Sequence, residues 1–353
     1  MKDRLDRVRT KTGVAALGAA TVDRAGRIEV AVTGSTSRDT PEPVQEDDSW
    51  HIGSCGKSLT AALYARLVEQ GHAEWGLPLP ELFPDLAGIH PGWASATVDD
   101  LFTCRSGLPG NLDRGGMVAA YRDPRLPADQ RSAAALSALA GAPRGVGRFL
   151  YSNLGYVIAG AAMDRLGGRS FESLLESELL QPLGATSGGF GVPPRICGHR
   201  PRLQLGSLCV GQGRSASPDD IHSDNPPLYT PAGRLHLTLG DWARVQRLFL
   251  EGTGFLEPGS VQRLLRIPGD GRGMAMGWAP VQGVVGVGLG MQGSNTLWAA
   301  SAMMSDDRSR LAMVIANDGR SRTLSMTAHL AVELLAETGP AQRNPRPDPG
   351  RAS

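Results

Sequence analysis

The feature that most constrains this chain is a serine followed three residues later by a lysine, Ser54 and Lys57, at the start of an apolar run. Hydrophobic residues recur at roughly helical spacing from Leu59 to Val68, which predicts a helix that begins near Ser54. Side chains three positions apart on a helix face the same way, so the lysine amine can take the proton of the serine hydroxyl. The pair therefore indicates a nucleophilic serine with a lysine base, although such a spacing also occurs by chance.

The predicted position of Ser54 at a helix N-terminus suits the same chemistry. Unpaired backbone N–H groups and the positive end of the helix dipole favour the negative charge that develops on a carbonyl oxygen under attack. An amine acts as a base only in its neutral form, and the apolar helix predicted around Lys57 favours that form.

A second segment, Phe-Leu-Tyr-Ser-Asn at 149–153, places a phenol and a carboxamide two residues apart before another apolar run. Tyr151 can relay a proton to a leaving group, and Asn153 can hold an amide of the acyl part. Taken without Ser54 and Lys57, Tyr151 would be read as an ordinary half-buried aromatic residue.

These segments resemble the serine β-lactamase and penicillin-binding-protein superfamily, in the branch of class C β-lactamases, D,D-peptidases, family VIII esterases and transacylases. The segment at 101–109 resembles the family's Leu-Leu-Thr-His-x-Ser-Gly-Leu-Pro, with Cys104 in the place of histidine. Residues 181–184 resemble its Pro-Leu-Gly-Met turn, and residues 231–241 its Ala-Gly-Gly-Leu segment. The resemblance runs in the family's order from the first predicted strand to the last predicted helix.

The resemblance and the chain's own pattern predict an α+β fold with an antiparallel sheet flanked by the N- and C-terminal helices, and an inserted, mainly helical domain. Strands are expected at 14–22, 28–32, 283–289, 296–304 and 311–316, and a closing helix at 323–337. Residues 1–76 and 226–337 are predicted to form the sheet domain and 77–225 a helical insertion without strong strand patterns. The Pro/Arg-rich stretch 338–353 is predicted to be a disordered tail. The active site is expected in the cleft between the two parts.

The third motif departs from the family pattern. Aligning Gly293 with the glycine of the family's Lys-Thr-Gly or His-x-Gly puts Met291 and Gln292 in the first two places, and all three residues are expected to bind substrate. Met291 cannot supply a positive charge for a substrate carboxylate. The backbone N–H of Ser294 can still pair with that of Ser54 as an oxyanion hole, because such donors do not depend on the side chain.

Composition excludes several classes of function. With 353 residues, 41% hydrophobic and 20% charged, the chain is typical of a globular protein, and its net charge of +1 with scattered arginines argues against nucleic-acid binding. The four cysteines and seven histidines show no metal-ligand spacing, and no phosphate-binding loop is present, so no metal and no cofactor are expected. The charged first residues lack a secretory pattern and no apolar span would cross a membrane, which predicts a cytoplasmic protein.

The sequence thus predicts a serine acyl-enzyme hydrolase that acts on a small ester, thioester or amide through Ser54, Lys57 and Tyr151. One alternative is a biosynthetic transacylase, in which an amine or alcohol replaces water. A second is a catalytically inactive binding protein that retains the fold, which the loss of the third-motif cation would permit.

Overall fold

The computed structural model describes residues 1–205, 208–216, 219–269, 271 and 273–337, so the tail predicted at 338–353 lies outside the described residues. The strands are β1 (Ala16–Asp23), β2 (Ile28–Gly34), β3 (Ser49–His51), β4 (Gly189–Phe190), β5 (His199–Leu205), β6 (Leu208–Ser215), β7 (Leu235–Thr238), β8 (Ala279–Pro280), β9 (Val287–Ser294), β10 (Ala299–Ser305) and β11 (Arg310–Ala316). The α-helices are α1 (Lys2–Thr12), α2 (Gly56–Glu69), α3 (Leu79–Leu82), α4 (Val98–Phe102), α5 (Arg114–Arg122), α6 (Pro127–Ala140), α7 (Asn153–Gly167), α8 (Phe171–Leu175), α9 (Thr230–Gly233), α10 (Leu239–Gln246), α11 (Pro258–Leu265) and α12 (Ser321–Glu337). None of the helices in the described ranges is both long and apolar enough to cross a bilayer.

The main sheet joins the two ends of the chain. Six antiparallel strands lie in the order β2-β1-β11-β10-β9-β8. The N-terminal hairpin meets the C-terminal strands where β1 pairs with β11, in a register that sets Leu17 opposite Ala316. The predicted α+β architecture, with one sheet built from both ends, is confirmed.

Both faces of this sheet are covered, which explains its nearly continuous apolar strands. On β11, Leu311, Met313 and Ile315 face a large core, while Ala312, Val314 and Ala316 face a smaller one. The smaller core is closed by Leu5 of α1 together with Leu330 and Leu334 of α12. The terminal helices therefore flank the sheet on one side, as predicted.

The larger core joins the other face of the sheet to α2, α7 and the helices between them. Its members include Trp50, Leu59, Tyr64, Phe102 and Tyr156, all fully buried. Residues 77–225 contain α3 to α8, and the division of the chain at 76 and 226 into two domains remains a prediction. Helix α2 contacts α7 and α8 of this stretch, and the turn at 53–55 that precedes α2 contacts β9 and β10.

Two expectations about strands were wrong. The stretch 77–225 was expected to lack strands, yet β5 and β6 form a hairpin there. Its sequence carries Pro201 and several glycines, which are poor strand formers, and Pro201 lies at a register shift of a two-stranded ribbon, where proline is tolerated. The strand expected at 283–289 instead runs from Val287 to Ser294, because Gly283 and Gly286 have φ of 74° and 80° and form a turn.

Candidate active site

Ser54 lies in a tight 3-10 turn, Gly53–Cys55, that leads directly into α2. Gly53 has φ of 54°, a left-handed conformation that suits glycine. Strand β9 approaches this turn closely, since a Cβ added to Gly293 would lie 2.2 Å from the Ile52 carbonyl oxygen and 2.7 Å from the Ser54 nitrogen. Glycine at 293 is therefore needed for the strand backbone to reach the Ser54 turn.

Lys57 lies in the first turn of α2, with 1% of its surface exposed. Its Nζ is 3.0 Å from Ser54 Oγ and 2.7 Å from Asn153 Oδ1, and it also donates to the Ala232 carbonyl oxygen. The Asn153 and Ala232 oxygens are acceptors only. In its neutral form, which a base requires, the amine would have two N–H groups for these two oxygens and a lone pair for the Ser54 hydroxyl.

Tyr151 approaches Ser54 from the segment before α7. Its Oη donates to Ser54 Oγ at 2.8 Å, and the residue is 40% exposed. Cys104, in a left-handed conformation with φ of 57°, lies behind this segment, and its Sγ accepts from the Ser152 N–H at 3.4 Å. Burial raises the pKa of the Cys104 thiol, so this side chain supports the turn as a neutral group.

Asn153 is the first residue of α7 and bridges two side chains. Its Oδ1 accepts from Lys57, and its Nδ2 donates to Asn111 Oδ1 at 2.9 Å. This pairing orients the carboxamide oxygen toward the lysine. The observed partners of the Asn153 side chain are Lys57 and Asn111, and its binding of an amide in the acyl part of a substrate remains a prediction.

The third-motif residues lie on β9, directly beside the Ser54 turn. Met291, which is 5% exposed, and Gln292, which is exposed, both line the same cavity as Ser54. Gln292 also donates to the Leu324 carbonyl at 3.1 Å. A Cβ on Gly53 would lie 2.7 Å from the backbone nitrogen of Ser294, so that nitrogen is adjacent to the Ser54 turn. The arrangement brings together the two N–H groups expected to form an oxyanion hole.

The matching family model, described as Beta-lactamase, covers residues 3–336. The chain belongs to the β-lactamase family. Unguisins hydrolase ungD of Aspergillus violaceofuscus is 28% identical over 57% of this chain, and the chain spans only 36% of the length of that relative. The solved structure of SurE, 22% identical, has a TM-score of 0.75 and matches 95% of this chain and 75% of SurE. A D-amino acid amidase from Ochrobactrum anthropi SV3, 18% identical, has a TM-score of 0.74 over 95% of this chain and 98% of the amidase. The two structures share the fold.

In this β-lactamase-family site, a buried polar group that was not predicted from the sequence, His51 with Asp224, holds the Ser54 turn. His51 Nδ1 accepts from the Gly53 N–H at 3.2 Å, and its Nε2 pairs with Asp224 at 3.1 Å. Asp224 also accepts from Arg234 at 3.2 Å and from Asn295 at 3.0 Å. Burial opposes ionisation of Asp224, but these donors outweigh burial and lower the pKa of its carboxyl. The one signal in the sequence for this role was the position of His51, three residues before Ser54.

Cys55 lies next to the nucleophile, where a reactive thiol could compete with Ser54 for electrophiles. It is fully buried, and burial raises the pKa of its thiol. A buried neutral thiol is a poor nucleophile, which favours the packing role.

Ser54 borders two cavities of this family member. One, of about 520 Å³, has an apolar wall that includes Phe149, Met274, Val281 and Met291. The other, of about 440 Å³, has a polar wall of amides, hydroxyls and ionisable groups, among them Asn111, Asn153, His222, Asp224, Asn295 and Thr296. The nucleophile therefore lies where an apolar and a polar space meet.

Proposed function

We propose that this protein is a serine acyl-enzyme hydrolase that acts on a small ester or amide. The observation that carries the proposal is the contact of one hydroxyl, Ser54 Oγ, with both Lys57 Nζ at 3.0 Å and Tyr151 Oη at 2.8 Å. A buried amine and a phenol on the same serine supply a base for attack and an acid for departure.

In the proposed first step, Ser54 Oγ bonds to the substrate carbonyl carbon and its proton passes to Lys57. The backbone N–H groups of Ser54 and Ser294 hold the negative oxygen. The bond from the carbonyl carbon to the leaving group then breaks, and the leaving atom keeps the electron pair. It takes the proton of Tyr151, and the proton on Lys57 restores the phenol.

The second step repeats this chemistry with water. Water bonds to the acyl carbon and gives one proton to the Lys57–Tyr151 pair. The bond to Ser54 Oγ breaks, Oγ takes a proton back, and the acid product leaves. The net reaction is hydrolysis, with every group on the protein restored.

The names of the relatives support cleavage of acyl bonds, since one is called a hydrolase of unguisins and another a D-amino acid amidase. We favour neutral substrates over carboxylate-bearing β-lactams, because Met291 stands where a cation would pair with a carboxylate. Hydrolysis is proposed ahead of acyl transfer, and the cytoplasmic location remains a prediction.

The test is covalent labelling with a fluorophosphonate, which forms a stable bond to an activated serine. Label is expected on the unchanged protein, none on Ser54→Ala, and a loss of several orders of magnitude in acylation rate on Lys57→Met. Cys55→Ser is the matched control. It should label normally, because the label is expected on Ser54 and the neighbouring Cys55 side chain is buried. Label that persists in Ser54→Ala would contradict the assignment, and no label on the unchanged protein would favour a binding protein.

A further inference from the structure

We propose that the preferred substrates have a polar, hydrogen-bonding acyl part and an apolar leaving group, because of the way the two cavities meet at Ser54. The inference rests on the proposed acyl-enzyme function and adds a substrate class to it.

The orientation follows from the position of the proton donor. Tyr151 and Lys57 line the apolar cavity, whereas Asn153 and Ser294 line the polar one. When the carbonyl oxygen is held by the backbone N–H groups of Ser54 and Ser294, the two other substituents of the carbonyl carbon extend to either side. The leaving atom must receive the Tyr151 proton within hydrogen-bond reach, so the leaving group extends into the apolar cavity.

The apolar cavity can hold an aromatic ring or a medium-length alkyl chain. Its volume is about 520 Å³, and its wall contains Met274, Met303 and Val281 beside the half-exposed Phe149. Gly290 widens it, since a Cβ there would lie 2.7 Å from Met303 Sδ and 2.9 Å from a Val281 methyl. Methionine and phenylalanine contact apolar groups of varied shape and offer little to a polar leaving group.

The polar cavity suits a neutral acyl part with hydrogen-bonding groups. Asn111, Asn295 and Thr296 present amide and hydroxyl groups to it. The Asp224 carboxylate in its wall is paired with Arg234, so its charge is balanced inside the protein. A hydroxyl or carboxamide on the acyl part can exchange its bonds to water for bonds to these groups, whereas an alkyl chain cannot.

The test compares two isomeric esters that exchange the positions of the same groups. Phenethyl glycolate has a polar acyl part and an aromatic alcohol, and hydroxyethyl phenylacetate has the reverse. The kcat/KM of each ester is divided by its rate of hydroxide-catalysed hydrolysis, which removes the difference in intrinsic reactivity. We expect a preference of about tenfold or more for phenethyl glycolate, the effect of burying one ring in an apolar site. Equal rates or the opposite preference would overturn the inference.

Two variants link the preference to the cavity. Phe149→Ser removes an aromatic ring from the cavity wall, and Val281→Thr keeps the side-chain shape while replacing a methyl group with a hydroxyl. Each is expected to reduce the preference, by about threefold to tenfold for Phe149→Ser. Leu126→Ser, which removes a side chain that is 72% exposed and outside both cavities, should keep it. A preference that survives both cavity variants would also overturn the inference.

Failure of the proposed function would give a different result. Nitrophenyl acetate, which has a small acyl part and an activated leaving group, serves as a reporter of any acyl-enzyme chemistry. Absence of Ser54-dependent turnover of this ester and of both isomers would contradict the proposed function. Ser54-dependent turnover of the reporter without the expected preference would contradict the substrate class alone.

Discussion

At the scale of single residues, the site depends on which atoms surround one hydroxyl. Ser54 Oγ has an amine on one side and a phenol on the other, and the amine is held by Asn153 Oδ1 and the Ala232 carbonyl. The spacing of Ser54 and Lys57 was readable from sequence because both lie on one helical turn. The contact with Ala232 was not, because a backbone carbonyl leaves no mark on the sequence and lies 175 residues away.

Tyr151→Phe should lower turnover by about 10²- to 10⁴-fold, the usual range for general acid–base catalysis. The change removes the hydroxyl that lies 2.8 Å from Ser54 Oγ and keeps the ring. The measurement is kcat on an ester of a poorly leaving alcohol, with the free energy of unfolding as the control for intact folding. Unchanged kcat would mean that Tyr151 is structural.

Met291→Lys should improve reaction with a penicillin relative to a neutral ester by roughly tenfold to hundredfold. A cation in this cavity could add a charge-assisted hydrogen bond of about 1.5–3 kcal/mol to a carboxylate, and each 1.4 kcal/mol is a factor of ten. Met291→Leu keeps the apolar wall without adding charge and should leave the ratio unchanged. Efficient penicillin hydrolysis by the unchanged protein would contradict the role given to Met291.

At the scale of elements, the Ser54 turn is fixed by contacts from distant parts of the chain. Strand β9 packs on it through Gly293, and a Cβ on Gly233, the last residue of α9, would lie 3.0 Å from the Ser54 nitrogen. His51 of β3 accepts from the Gly53 N–H and stacks on Trp298, with ring centroids 5.1 Å apart. These contacts were not predictable in detail, because β3 is too short to show a period and its partner Asp224 is 173 residues away.

His51→Phe should lower kcat at least tenfold with a smaller effect on KM. Phenylalanine keeps an aromatic ring beside Trp298 but removes the acceptor for the Gly53 N–H and the donor to Asp224. The Ser54 N–H would then lose its fixed direction, which stabilises the transition state more than bound substrate. The free energy of unfolding should also fall by about 1–3 kcal/mol, the cost of leaving a buried polar group unpaired.

His51→Asn is the informative comparison for this role. Its carboxamide oxygen can accept from the Gly53 N–H at nearly the place of Nδ1, so part of kcat should return. A loss of stability in both variants with kcat unchanged would mean that His51 serves the fold alone and does not position the nucleophile.

At the scale of the whole molecule, the order of strands and helices along the chain was more predictable than which of them pack together. The apolar strands predicted near both ends of the chain indicated that the two ends share one sheet, because two-sided burial leaves strong composition signals. The β5–β6 hairpin was not predicted, because its proline and glycines are poor strand formers. The polar cavity was also missed, because Asn111, Asp224 and Asn295 come from three distant segments and each alone reads as a loop residue.

The cavities beside Ser54 lead to the last prediction, which concerns the fate of the acyl-enzyme. A transferase must exclude water and bind its acceptor in position, which a hydrolase need not do. Tyr151 is 40% exposed, so solvent reaches the proton donor, and departure of the leaving group would empty a cavity of about 520 Å³ beside Ser54. We therefore expect water to resolve the intermediate.

The measurement is partitioning of a common acyl-enzyme. The protein is acylated with nitrophenyl acetate in the presence of graded amines or alcohols, and free acid and transfer product are quantified. With small amines and alcohols, acid should remain the main product, with transfer rising only in proportion to acceptor concentration, as expected for an acceptor that competes with water without a site of its own. Phenethyl alcohol is the most demanding acceptor, because the apolar cavity should bind it and transfer to it can therefore saturate. Acid should remain the main product even when this alcohol saturates. Transfer that replaces acid as the main product at low concentration of this alcohol would identify an acyltransferase, and the vacated leaving-group cavity would then be its acceptor site.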